Sequence, residues 1–197
     1  MRVFALPLAV VLVAAMTAGC AATRELAAMT QVGFSYDRVS GAQIVGIPLS
    51  GINSYEDVGP LEVARLALAI AAKDVPLDLT VHLTALNPKT NDVNARMTAL
   101  DWAYLVDERE IVTGRLSDVQ VFPPGEPRDV PVVVTLNLVR FFGSDGRSLL
   151  ETALVLAGQR TSTKKVTMRL TPFIDTPAGT LRYPVPITLD LSKVQPR

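Results

Sequence analysis

Strict alternation of apolar and polar residues starts at Leu77. Leu77, Leu79, Val81, Leu83 and Ala85 fall on one side of an extended chain, and Asp78, Thr80, His82 and Thr84 on the other. A period of two is the signature of a strand with one buried face, and Asn87-Pro88 ends it. The pattern returns from about Thr98 to Val106, with Leu100, Trp102, Tyr104 and Val106 sharing a face. A charged turn at Asp107–Glu110 then leads through Ile111 and Val112 toward Gly114, which predicts a hairpin. Val119–Phe122 reads as a strand broken by Pro123-Pro124-Gly125. Val130, Val132, Val134, Leu136 and Leu138 alternate in the next one, with Pro131 near its start, where a missing N–H does least harm. Val166–Ile174 and Leu181–Leu191, separated by Asp175–Gly179, predict a closing hairpin, and Gly33–Ser50 predicts a hairpin or two edge strands around Ser40-Gly41.

Two segments change period. Pro60 suits a first helical position, and Leu61, Val63, Leu66, Ala67, Ile70 and Ala71 follow at helical spacing, so a helix is expected up to about Lys73. Alanine and leucine cover most of its circumference. Packing against a sheet is the expected use of that surface, with contact to lipid or to a partner as alternatives. A second helix fits Ser148–Ala157, opened by Ser148 with Glu151 three positions on, as in a capping box, and closed by Gly158. Seven or more short strands with Pro/Gly turns and two short helices make the expected fold class mainly β, an antiparallel β-sandwich.

The first residues follow a different logic. Met1-Arg2 gives one charge, Val3–Met16 is apolar, and the stretch ends in Thr17-Ala18-Gly19-Cys20. Fourteen residues fall short of the about 20 needed to span a bilayer, so the segment reads as a signal peptide. Its ending is similar to the lipobox of bacterial lipoproteins, in which cleavage between Gly19 and Cys20 leaves a diacylated cysteine as the mature N-terminus. Thr17 stands where that motif usually has Leu. A buried free thiol, or cleavage without lipid, are the competing readings. Cys20 is the only cysteine, so an exported chain offers it no disulfide partner, which favours lipidation. The expected organisation is a leader over 1–19, a lipidated N-terminus and short tether over 20–32, and one domain over 33–197. Ala21 after the cysteine implies, by the sorting pattern of enteric bacteria, the periplasmic side of the outer membrane.

Charge excludes more than it suggests. Nineteen basic and nineteen acidic residues leave no cationic excess for a phosphate backbone, so nucleic acid is not an expected partner. His82 is the only histidine, which rules out a His-rich zinc site, and there is no Gly-x-Ser-x-Gly elbow to serve a triad built on it. A solvated or hydrogen-bonded cross-strand role is expected for His82. Asp101, Asp107, Glu108 and Glu110 cluster in sequence, as charged turns ordinarily do. Trp102 and Tyr104, two apart on one strand face, read as sandwich core. No glycine-rich phosphate loop occurs, and neither a cofactor nor catalysis is expected.

The order of short motifs from Leu77 to Val139 carries a resemblance. It consists of Leu86-Asn87-Pro88 at a strand end, Leu100-Asp101-Trp102-Ala103-Tyr104-Leu105-Val106, Ile111-Val112-Thr113-Gly114, Phe122-Pro123-Pro124-Gly125, and Val130-Pro131-Val132. This stretch, about a third of the chain, resembles the second-subgroup late embryogenesis abundant domain, also called the WHy domain. Leu170–Leu189 extends the likeness as the final hairpin. The resemblance implies a fibronectin-III/immunoglobulin-like sandwich linked with desiccation or other stress tolerance, with no catalytic residues. Asn87, Pro88, Trp102, Tyr104, Gly114 and Pro131 are its structural positions, and Gly114 is expected at a bulge or tight bend.

The expectation is therefore a membrane-anchored stress-protective or interaction module of the envelope, bound to the bilayer through acyl chains on Cys20. The alternative is a periplasmic carrier of apolar ligands or lipids. A hydrolase using His82 or the acidic turn is the third reading. Replacing Cys20 by Ser should shift the protein from the membrane to the soluble envelope fraction, and mass spectrometry of the wild-type N-terminus should find an acylated residue 20.

Overall fold

A computed structural model of the 197-residue chain describes residues 24, 27–161, 163–176 and 179–192. Gly19 and Cys20 lie outside the described residues. The strands are β1 (Gly33–Ile44), β2 (Ile47–Pro48), β3 (Pro76–Leu86), β4 (Ala95–Met97), β5 (Ala99–Val106), β6 (Arg109–Leu116), β7 (Gln120–Phe122), β8 (Pro127–Asn137), β9 (Val166–Thr176), β10 (Gly179–Arg182) and β11 (Ile187–Asp190). The helices are α1 (Pro60–Ala71), α2 (Val139–Phe142) and α3 (Gly146–Leu156), with a 3-10 turn at Tyr55–Asp57.

Two antiparallel sheets form the sandwich. Sheet I has the order β2-β1-β3-β8; sheet II has the order β10-β9-β5-β6, with β11 also pairing β9. The central strands follow the alternation of the sequence. In β3, Leu77, Leu79, Val81, Leu83 and Ala85 are all buried, facing Leu100, Trp102, Tyr104 and Val106 of β5 in one continuous apolar cluster. The core extends back to Ala28, Met29 and Val32, ahead of the residue 33 boundary read from sequence.

Several boundaries differ from expectation, each for a local reason. The first hairpin turns at Val45-Gly46, both at positive φ, with Ile44 opposite Ile47. Ser40-Gly41 lies within β1, at an irregularity of register between Ser40 and Gln43 that Gly41 accommodates at φ 62°. A second irregularity, between Tyr36 and Arg38, makes Asp37 the extra residue. The expected final strand is divided into β10 and β11, because Pro184 and Pro186 cannot donate to a ladder. β10 pairs with Phe173–Thr176 and β11 with Leu170–Thr167, and Leu181 and Val185 are exposed rather than inward. β4 and β7 pair as a separate small sheet, a partnership not read from the sequence. Pro131 sits inside β8, which starts at Pro127. It is tolerated there because β8 is the outer strand of sheet I.

The helices also depart from expectation. α3 begins two residues before Ser148: Asp145 is its N-cap, its carboxylate accepting the Ser148 backbone N–H at 2.8 Å. These hydrogen bonds hold the Asp145 carboxyl below the usual range. Leu149, Leu150, Ala153, Leu154 and Leu156 of α3 are buried. α1 keeps its expected span, but its packing is much thinner than its composition suggests. Only Leu66 is buried, while Leu61 and Leu68 are 70% and 73% exposed. Leu66 and Ile70 lie beside Gly146 at the start of α3, and Ala69 and Ile70 are half-buried against the core.

That asymmetry sets a test. Leu66→Ala should lower unfolding stability by about 2–5 kcal/mol, whereas Leu68→Ala should change it by less than about 0.5 kcal/mol. Urea denaturation of the two variants followed by circular dichroism checks the difference.

Candidate functional site

Sequence separations of more than forty residues collapse at His82. On the outer face of sheet I its Nε2 lies 2.8 Å from Ser40 Oγ on β1, and its Nδ1 lies 2.9 and 3.0 Å from the carboxylate oxygens of Asp129 on β8. The Arg38 guanidinium is 3.2 Å from the same Nδ1. The bulge at Asp37 makes this possible. Tyr36 and Arg38, two apart, would share a face in a regular strand, but the extra residue puts Tyr36 opposite inward Leu83 and Arg38 opposite outward His82. The apolar spacing of Phe34, Tyr36 and Val39, two and then three, was the signal for it in the sequence. Nothing in the sequence pointed to Ser40 or Asp129.

The connectivity is that of serine, base and carboxylate in a hydrolase. Its surroundings are not. In the triad mechanism a buried carboxylate orients the base, and fixed donors stabilise an oxyanion in a site that excludes water. Here the Asp129 side chain is 50% exposed, a guanidinium flanks the base, and Ser40 is exposed on an open sheet face. What the cluster does in the fold is tie β1, β3 and β8 together across their outer surface. Ser40 and Arg38 also border a groove of about 600 Å³ along β1, closed on its far side by Ala157–Gln159.

Asn87 is fully buried, and its amide N–H groups donate to the carbonyls of Val93 (3.1 Å) and Phe122 (2.8 Å). Its side-chain oxygen accepts from Asn91, and its backbone carbonyl accepts from Gly125 N at 2.7 Å. Pro88, half-buried, follows where β3 has ended, and its carbonyl closes a turn with Asn91 N.

Trp102 and Tyr104 are buried in the core. The Tyr104 hydroxyl donates to the Leu156 carbonyl at 3.3 Å, and burial pushes its pKa well above the ordinary tyrosine range. Gly114 is opposite Trp102, and a Cβ placed there would come within 2.3 Å of the indole. The register irregularity of this hairpin falls instead between Tyr104 and Leu105, so Gly114 is needed for close approach and not for a bulge.

The acidic residues of the turn are spread among separate cationic partners. Asp101 pairs with Arg115 at 3.2 Å, Glu110 with Arg169 at 3.6 Å and Glu108 with Lys165 at 3.7 Å, while Asp107 accepts the Lys165 backbone N–H at 2.9 Å. Asp101 and Glu110 border the same groove on sheet II, each held by a different arginine. Among the described residues no group of three His, Cys, Asp or Glu side chains is placed to hold a metal ion, and no helix is long and apolar enough to cross a membrane.

No family model matches the chain, and no curated protein matches it in sequence. Solved structures are similar in part, two of them as follows. A crystal structure of a protein from Archaeoglobus fulgidus is 7% identical with a TM-score of 0.36, over 83% of this chain and 96% of that one. The solution structure of a candidate late embryogenesis abundant protein is 12% identical with a TM-score of 0.40, over 93% and 82%. Likeness at this level carries no functional assignment.

Gly114→Ala should lower stability by about 1–3 kcal/mol by overpacking against the indole, and should shift the emission of Trp102, the only tryptophan. Thermal unfolding read by that fluorescence checks both effects.

Proposed function

We propose that this chain is a lipid-anchored envelope protein whose sandwich works by contact rather than by catalysis, as a stress-protective or interaction module of the late embryogenesis abundant second-subgroup type. The observation that carries this reading is the position of the only cysteine, Cys20, at the small-residue end of an apolar leader. The ordered motifs from Asn87 to Pro131 support the family reading. The open, arginine-flanked surroundings of His82 favour a structural use of that cluster over hydrolysis.

A carrier of apolar ligands needs an apolar cavity of several hundred Å³. The space between the sheets is filled by one contiguous cluster of buried side chains, with α3 contributing Leu149, Leu150, Ala153 and Leu154, which favours the module over the carrier. A tether that ends shortly before Ala28 would keep the sandwich close to the bilayer, on the periplasmic side of an outer membrane.

Cells lacking the gene should survive drying or osmotic shock less well than the parent strain, and the purified protein should reduce aggregation of a test enzyme on drying. Absence of both effects would remove the protective role. His82→Gln should leave both unchanged.

A further inference from the structure

We propose that the outer face of sheet II binds a phosphate group through Arg115, Arg169 and Arg182. The three guanidinium groups come from β6, β9 and β10 and border one groove of about 460 Å³. Small side chains contribute to its floor: Ala103 and Thr171 are buried there.

Two of the arginines are positioned in advance. Arg115 stacks over the Phe173 ring, 4.4 Å from its centroid, and is 3.2 Å from Asp101; Arg169 is 3.6 Å from Glu110. Each guanidinium is a planar fork of five donors, of which one carboxylate takes at most about two, so each keeps donors for a second acceptor. Arg182, exposed on β10, enters no ion pair among the described residues. The groove thus holds three positive charges against two carboxylates, both already engaged, in a chain whose formal net charge is zero. Planar forks around a small-residue floor match the several acceptor oxygens of a phosphate better than a cation or an apolar group.

The phosphate could be free or part of a lipid headgroup. Arg182 is followed by Tyr183, whose hydroxyl donates to the Thr30 carbonyl at 3.4 Å, so this end of the groove adjoins the segment that leads back to Cys20. If Cys20 is the anchor, lipid headgroups are the nearer source of phosphate. That clause rests on the anchored reading; phosphate binding itself does not.

Occupancy is read by isothermal titration calorimetry, because the Trp102 indole lies on the inner side of sheet II. The full chain, held in an uncharged glycoside detergent in phosphate-free buffer of low salt, is titrated with inorganic phosphate, with a short-chain phosphatidylglycerol, and with a short-chain diacylglycerol that lacks phosphate. A saturable change with phosphatidylglycerol alone assigns the site to headgroups; one with inorganic phosphate assigns it to free phosphate. In either case Arg115→Gln/Arg182→Gln should weaken binding at least tenfold, and Arg128→Gln on sheet I should not. If the double variant does not fold, Arg182→Gln alone, on an exposed strand, should weaken binding severalfold.

No saturable response to either phosphate probe, equal response to the diacylglycerol, or unchanged affinity in the arginine variants overturns the proposal. These titrations do not depend on acylation, whereas the mass of the N-terminal residue does, so failure of the anchor and failure of the groove are separate results.

Discussion

The buried amide of Asn87 is the fixed point of this fold. Where β3 ends, the chain leaves sheet I, forms the small sheet of β4 with β7, and enters sheet II at β5, and on the way the carbonyls of Val93 and Phe122 need partners. One side chain supplies the missing partners: it donates to Val93 and Phe122 and accepts from Asn91, while its own carbonyl holds Gly125. A buried polar group left without a partner costs about 1–3 kcal/mol, so the amide and the segments it holds stabilise one another or fail together. The edge contact of Phe34 with Phe122, 6.1 Å between centroids, seals the same corner with apolar surface.

From that corner the two sheets are kept in place by different means. Sheet II is closed through its interior, where Trp102 lies over Gly114 and Tyr104 reaches the last carbonyl of α3. Sheet I is additionally strapped on its outer face by the Arg38, Ser40, His82 and Asp129 cluster. Its outer strands carry proline and bulges, features that discourage pairing with another chain. Pro131 interrupts the donors of β8, and β1 twists through its two register shifts. These strands have no full neighbour, since β2 covers only the end of β1.

The division of labour fits the proposed function. The interior is filled, and the polar clusters on the outer faces are largely engaged with one another. What remains available is surface: the arginine groove of sheet II near the N-terminal segment, and the exposed leucines of α1. The start of β3, which follows α1, and its end beside the N-terminal segment are separated by eleven residues, about 35 Å of extended strand.

The central strands and the first helix were legible from residues 60–139 because they depend on period alone. Alternation in β3, β5 and β8 needs only that one face be buried, and Pro60 needs only a helix to begin. The cap at Asp145, the split at Pro184 and Pro186, and the hairpin at Val45-Gly46 were local too, but each competed with an equally local alternative that the sequence did not rank. By itself the sequence determined a mainly β chain and set its only cysteine at the end of an apolar N-terminal stretch. Tertiary structure decided the rest, because a pattern specifies which face a side chain takes but not which distant side chain it meets. Only the pairing of β1 with β3 and of β3 with β8 brought Ser40 and Asp129 to His82, only the pairing of β5 with β6 and β9 and of β9 with β10 gathered the arginines, and only the thin packing of α1 left its leucines uncovered.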